Sequence, residues 1–345
     1  MNTLRDISWQ VDEPTYRADP ALSYSTLARF AREGFNNLDT LFDKVDSPSL
    51  TFGSAVDALM TGGQEEFDKN FFVAEFPPLP ESIEKMVKLL FSDFCPIYQN
   101  LSSIPDAEII SRTETMKYQL NWKPETRAKV IKEQGAEYYK LLYLAGDRKV
   151  VNTEFKDDVD NCVMALRTSP ATGPMFNPLD TRFERFYQLK FKATLGDVDY
   201  RCMADLILVD HKHKKIYPID LKTSGHAEWN FFDSFVKWHY NIQARLYWRI
   251  IRENLDKDEE YKGYTLEDYR FVVINRKTLT PLVWIFEDTQ VYGTLNYGED
   301  NKIEFLDPLD LGKELSFYLS SRPKAPIGID LVGDNSIIEW LNKKK

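Results

Sequence analysis

The 345-residue sequence predicts an α+β fold: a central mixed sheet with flanking helices and an α-helical N-terminal part. Three observations predict it. Apolar residues recur at helical spacing through much of the first half. After about residue 180 the pattern changes to β-branched and aromatic runs parted by turn signals. A long helical stretch then precedes two further strands, an order that suits one compact α+β unit.

The elements follow in order. "LSYSTLARFAREGFNNL" (22–38) predicts a helix capped by Ser23 or Ser25, with Leu27, Phe30, Ala31 and Phe35 as its apolar stripe. "SLTFGSAVDALMTGG" predicts a short helix from Ser54 to Met60, stopped by Gly62 and Gly63. "FPPLP" (76–80) breaks regular structure and "ESIEKMVKLLF" restarts a helix. Residues 95–123 carry no assignable pattern. "PETRAKVIKEQGAEYYKLLYLAG" reads as helical or mixed. "NTEFKDDVDNCVMALRTSP" is amphipathic, with Phe155, Val159, Val163 and Leu166 on one side. "RFERFYQLKFKAT", "VDYRCMADLILVD" and "KIYPIDLKT" form an antiparallel meander, joined by "LGD" (195–197) and "HKHK" (211–214). One helix is expected from about Glu228 to Glu253, then strands in "YRFVVINRK" and "PLVWIFED", then a helical start to "DPLDLGKELSFYLSSRP". The expected division is a mainly helical part over 1–175, a core over 176–320 and a C-terminal tail over 321–345.

Bulk properties exclude some classes. The chain is 43% hydrophobic and 28% charged, ordinary for a globular protein. It has no run of about eighteen apolar residues, so no membrane helix is expected. The N-terminus lacks a signal-peptide pattern. The three cysteines, Cys95, Cys162 and Cys202, read as reduced cytosolic thiols and cannot build a four-cysteine metal site. A net charge of −10 argues against coating nucleic acid by bulk charge. It is compatible with an enzyme that concentrates carboxylates around divalent cations.

The chemistry concentrates in one hairpin. If "HKHK" is a four-residue turn, Asp210 pairs with Lys215, and counting back sets Asp205 opposite Asp220. Side chains alternate along a strand, so Lys222 shares the face of Asp220. Opposed carboxylates repel unless a proton or cation separates them. A one-residue slip would put the two acids on opposite faces. Solvated strand ends are the plainer reading. Against it, "CMADLILV" and "IYPIDL" are strongly apolar, and burying two acids and a lysine without a role is costly.

Four further residues join this set as candidates. Gln243 and Tyr247 stand at i and i+4 on one helix face, which Tyr240 and Val236 extend; alone, this is also what a core stripe with a polar tip looks like. Glu184 starts the strand beside that of Asp205, and either approaches the same site or is an edge-strand surface charge. Asp57 is a lone acid in an apolar helical run, which a surface position explains equally well.

Asp205 followed by Asp220-Leu221-Lys222 resembles the PD-(D/E)XK nuclease superfamily. "DLKTS…F…WHYNIQARLYW", with Gln243 and Tyr247 in a Gln-x-x-x-Tyr helix, resembles the exonuclease VIII (RecE-type) and RecB-like branch. "YRCMAD", "LSYSTLARF" and "LTFGSAVDALMTGGQEEFDKNFFV" resemble other segments of those exonucleases. The likeness runs from about residue 20 to 290, with a gap near 95–150. It implies a restriction-endonuclease-like core that hydrolyses phosphodiester bonds from the ends of linear double-stranded DNA, 5′→3′, in phage-type recombination. It implies Mg²⁺ or Mn²⁺ held by Asp205, Asp220 and the Leu221 carbonyl, with Asp57 and Glu184 completing the site. Lys222 would orient or deprotonate the attacking water through a lowered pKa, and Gln243 and Tyr247 would position it. A ring-shaped homo-oligomer, a single-strand annealing partner and a cytoplasmic location in a bacterial or phage-infected cell are also implied.

There are departures. Asp57 stands where the family often has a histidine, four residues after Gly53, and Ala204 replaces a frequent proline. Iron–sulfur variants of the branch need a fourth cysteine. A structure-specific or restriction-type endonuclease stays open on the same scaffold. So does a non-catalytic DNA-binding or assembly protein, although that reading predicts damaged motif residues. Arg276 and Lys277 in "NRK", Lys190, Lys192 and Arg201 are candidates for a DNA path.

Overall fold

The computed structural model describes residues 3–43 and 47–321; the expected tail lies almost wholly outside them. The chain forms two compact units. One runs to Gly53 and resumes at Met164; the other spans Ser54–Val163.

Helix α1 (Glu13–Ala18) is capped by the Asp12 carboxylate, which accepts from the Thr15 amide. Helix α2 (Tyr24–Glu33) starts after Ser23 and buries Leu27 and Phe30. Helix α3 (Pro48–Asn70) is much longer than the expected Ser54–Met60. The helical run is interrupted at Gly63, whose φ of 67° and ψ of −158° are not helical, so the expected stop at the glycines stands, and a second helical segment, "QEEFDKN", follows it.

The second unit continues with β1 (Phe71–Val73), α4 (Glu81–Phe94), α5 (Asp106–Thr115), α6 (Pro124–Ala145), β2 (Lys149–Val151) and most of α7 (Thr153–Thr168). Strands β1 and β2 pair in parallel. Met86, Val87 and Leu90 of α4 meet Ile131, Tyr138 and Tyr139 of α6 in a local core. Gly135 makes that crossing possible: a Cβ there would lie 2.4 Å from Val87 Cγ2. The "helical or mixed" segment is thus wholly helical, and the patternless stretch holds α5.

The first unit carries α8 (Gly173–Phe176), β3 (Glu184–Leu195), β4 (Val198–Asp210), β5 (Lys215–Ser224), α9 (Phe231–Lys237), α10 (Tyr240–Leu255), β6 (Thr265–Leu266), β7 (Arg270–Asn275), β8 (Leu282–Ile285), β9 (Leu295–Tyr297), β10 (Ile303–Phe305) and α11 (Pro308–Ser321). The central sheet has the order β3-β4-β5-β7-β8, with β6 beside β5. Strands β3, β4 and β5 form the expected antiparallel meander. Strand β7 then pairs with β5 in parallel after the α9–α10 crossover, and β8 pairs antiparallel with β7. The sheet is therefore mixed, with helices against it.

The single helix expected over 228–253 is two. They are parted at Trp238–His239, where His239 has a φ of +53°. The break lets Phe231 and Phe235 of α9 and Tyr240 of α10 converge on Phe271. Helix α10 is buried nearly all round. Its Arg245 and Arg249 are neutralised by Asp307, each within 3.0 Å, and also donate to the Val291 carbonyl. Among the described residues no helix is long and apolar enough to cross a membrane.

Candidate active site

The β4–β5 hairpin builds the site. Asp210 pairs with Lys215 as expected, and the ladder runs to Leu206↔Ile219. One further step sets Asp205 opposite Asp220. There the backbone ladder ends, and the Asp205 carboxylate takes its place: Oδ2 accepts from the Leu221 amide at 3.0 Å. Strand β5 continues against β7, with Asp220 beside Phe271 and Lys222 beside Val273. Phe271 and Val273 belong to the core cluster that includes α10, so Asp220 and Lys222 face that helix.

Helix α10 answers with Gln243. Its Nε2 donates to Asp220 Oδ1, and its Oε1 accepts from Lys222 Nζ at 3.0 Å. The Lys222 ammonium lies 2.6 Å from Asp220 Oδ2 and 4.5 Å from the centre of the Tyr240 ring. Asp220 is 2% exposed, while the Lys222 side chain keeps 20% of its surface open. The site thus reaches solvent at the lysine. Each carboxylate has its own donors: Leu221 N–H on Asp205, Gln243 and Lys222 on Asp220. The two carboxylates are thus held side by side by separate donors.

Burial favours the neutral form of Lys222, but Asp220, Tyr240 and Asp205 outweigh it and hold the ammonium above the ordinary lysine range. This differs from the expected lowered pKa: two neighbouring carboxylates favour the ammonium form of Lys222. Tyr247 lies on the Gln243 face of α10 and is buried. Burial raises its hydroxyl well above the usual phenol range, and Tyr16, Cys202, Asp220 and Asp205 add to the shift. It is a neutral phenol.

Other predicted residues lie elsewhere. Glu184 pairs across the sheet with Val209, and its carboxylate lies 2.8 Å from His211 Nε2. It stands four residues along β3 from the level of Asp205, about 13 Å at the usual rise per residue. It belongs to the hairpin-turn end and does not join the site. Asp57 is a part-buried residue of the second unit. Lys190 and Lys192 do not form an open path: Lys190 donates to the Val11 carbonyl and Lys192 pairs with Asp19, each at 2.8 Å. Arg201 is buried and donates to the Tyr16 and Asp19 carbonyls. All three tie the N-terminal segment to the sheet.

Sequence reasoning missed two neighbours. Gln188 stands at the level of Asp205, with its amide 3.5 Å from Asp205 Oδ1. It has a φ of +53° and drops out of the β3–β4 ladder. Such a backbone costs about 1–3 kcal/mol for a residue with a side chain. The phase of β4 changes there too: Cys202 and Ala204 before Asp205, and Ile207 and Val209 after it, all join one core cluster. Tyr269 is fully buried with a hydroxyl that has no hydrogen-bond partner, and its ring packs 6.1 Å from that of Tyr247. A tyrosine just before a strand gives no sequence signal of this.

The donor set suits a hard divalent cation. Two carboxylates supply oxygen ligands, the donor type that Mg²⁺ and Mn²⁺ prefer. Among the described residues no group of three His, Cys, Asp or Glu side chains is arranged around a metal position. Main-chain, water or substrate oxygens would have to complete the shell, as Mg²⁺ commonly allows.

No family model matches the chain, and no curated protein matches it in sequence. Among solved structures, the crystal structure of a putative exonuclease from Eubacterium rectale is similar at a TM-score of 0.40 and 12% identity, over 90% of this chain and 85% of that one.

Proposed function

We propose that the protein is a metal-dependent DNA exonuclease that hydrolyses phosphodiester bonds from the ends of linear double-stranded DNA, in the 5′→3′ direction. One observation carries this reading: Asp205 and Asp220 are opposed across β4 and β5, with Lys222 and Gln243 locked to the same carboxylate.

The charges favour it. Two carboxylates and one ammonium leave a single net negative charge, and a phosphodiester adds another. A divalent cation held by Asp205, Asp220 and the Leu221 carbonyl would balance both, acidify a bound water and stabilise charge on the phosphoryl oxygens. Lys222, kept protonated, aligns the water and neutralises a phosphoryl oxygen. Gln243 fixes the Lys222 ammonium relative to Asp220. The Tyr240 ring stacks over the Lys222 ammonium, and Tyr247 stands one turn beyond Gln243 on the same helix. Glu184 is left out of this reading.

The motif resemblance extends the reading to a ring-shaped homo-oligomer working with a single-strand annealing protein in phage-type recombination. The test is digestion of linear duplex DNA, labelled at either 5′ or 3′ end, against a closed circle, with Mg²⁺ or Mn²⁺. Loss of linear DNA from the 5′ end with circles intact is expected. Cut circles would make the protein an endonuclease. No cleavage with either metal would leave a DNA-binding or assembly role.

A further inference from the structure

The segment after β5 presents an aromatic outer surface. Trp229, Phe232 and Trp238 are 60%, 49% and 41% exposed. They are not spare core residues, because the inner side of the same segment is already filled: Phe231 and Phe235 pack on Tyr240 and Phe271. Two cations stand over the Trp238 ring, Arg32 at 5.2 Å and Lys237 at 5.1 Å. Neither has a carboxylate partner among the described residues. In a chain of net charge −10, this patch carries two cations beside its rings, with Asp233 as the exposed carboxylate on the same helix.

The patch adjoins the site. The Tyr24 hydroxyl donates to the Trp238 carbonyl at 2.8 Å, and the Tyr24 ring lies 6.1 Å from Tyr240. Tyr240 in turn covers the Lys222 ammonium. Exposed flat rings flanked by cations fit one ligand chemistry well: unpaired nucleotides, whose bases stack and whose phosphates meet the cations. A second protein surface fits less well. It would bury Arg32 and Lys237 unless it brought counter-charges of its own.

We propose that Trp229, Phe232 and Trp238, with Arg32 and Lys237, form a stacking platform for a single-stranded stretch of DNA beside the scissile bond. The placement rests on the nuclease reading, and it makes a frayed or overhanging end a better substrate than a blunt one. The test does not need cleavage. Anisotropy of a labelled twelve-nucleotide oligo-dT is titrated in EDTA with wild type, Trp229→Ala, Phe232→Ala and Trp238→Ala, each checked by its melting curve. Each ring removed should weaken binding by about 5- to 100-fold. Leu179→Ala, which removes a still more exposed apolar side chain elsewhere, should leave it unchanged. Lys237→Gln should lower the slope of log affinity against log salt by about 0.7.

Oligo-dT binding that ignores the rings, or no binding by wild type, overturns the proposal. So does ring removal that dissociates an oligomer, which would make the patch a subunit interface. If ring-dependent binding is found but wild type cleaves nothing with Mg²⁺ or Mn²⁺, the platform stands and the hydrolytic reading falls.

Discussion

Gln243→Leu removes the bridge between Asp220 and Lys222 at nearly constant volume. Gln243 is 4% exposed and makes two hydrogen bonds to charged groups, one donated to Asp220 and one accepted from Lys222. Losing a buried bond to a charge costs about 1.5–3 kcal/mol. The Asp220–Lys222 contact survives, so the sum is discounted to about 3 kcal/mol. For a unit of this size that is roughly 6–12 °C in melting temperature. Gln243→Glu keeps an acceptor for Lys222 but sets a new carboxylate against Asp220. It should be destabilised at pH 8 and recover as the pH falls and that carboxylate protonates. Differential scanning calorimetry of both variants between pH 5 and 8 reads the effect. If Gln243→Leu melts within about 2 °C of wild type, the bridge does not hold the site and the account of its geometry is wrong.

Further outcomes follow from the same structure. Asp307→Ala leaves Arg245 and Arg249 buried without their counter-ion, and should cost about 3–5 kcal/mol in urea titrations. Burial works against the Asp307 charge, but Arg249 and the Leu309 and Gly293 amides hold its carboxyl below the ordinary range. Its folded pKa is therefore below its unfolded one. The stability it adds is full above the unfolded pKa of about 3.9 and fades as pH falls through the folded value. Wild type should lose stability more steeply than Asp307→Asn as the pH falls below about 4. Gly312→Ala would set a Cβ 2.0 Å from the hydroxyl of the fully buried Tyr200, and overpacking should cost about 1–3 kcal/mol in the same titration. Gly135→Ala should do the same in the second unit, against Val87.

Part of this was legible in the sequence. The register of β4 and β5 follows from a short turn and two apolar flanks, which is why Asp205, Asp220 and Lys222 could be placed by counting. Gln243 and Tyr247 follow from helical spacing. The break at His239 was not legible, because local propensity over 228–253 is helical and the break answers an aromatic cluster assembled from distant segments. Arg245 and Arg249 look like a polar helix face until Asp307, some sixty residues on, neutralises them in the core. Lys190, Lys192 and Arg201 look like a basic path until the N-terminal segment, more than 170 residues earlier, binds them. Glu184 was misplaced because a strand's start does not say which end of the sheet holds the chemistry.

The most direct test compares wild type, Lys222→Ala and Glu184→Ala on linear duplex DNA with Mg²⁺ or Mn²⁺, with melting curves to confirm that each is folded. The account predicts that Lys222→Ala loses at least about a hundredfold in rate, as for removal of one charge-stabilising donor, while Glu184→Ala digests like wild type. Cleavage by Lys222→Ala at the wild-type rate would contradict the assignment of the site. Loss of cleavage in a folded Glu184→Ala would move the chemistry to the other end of the sheet.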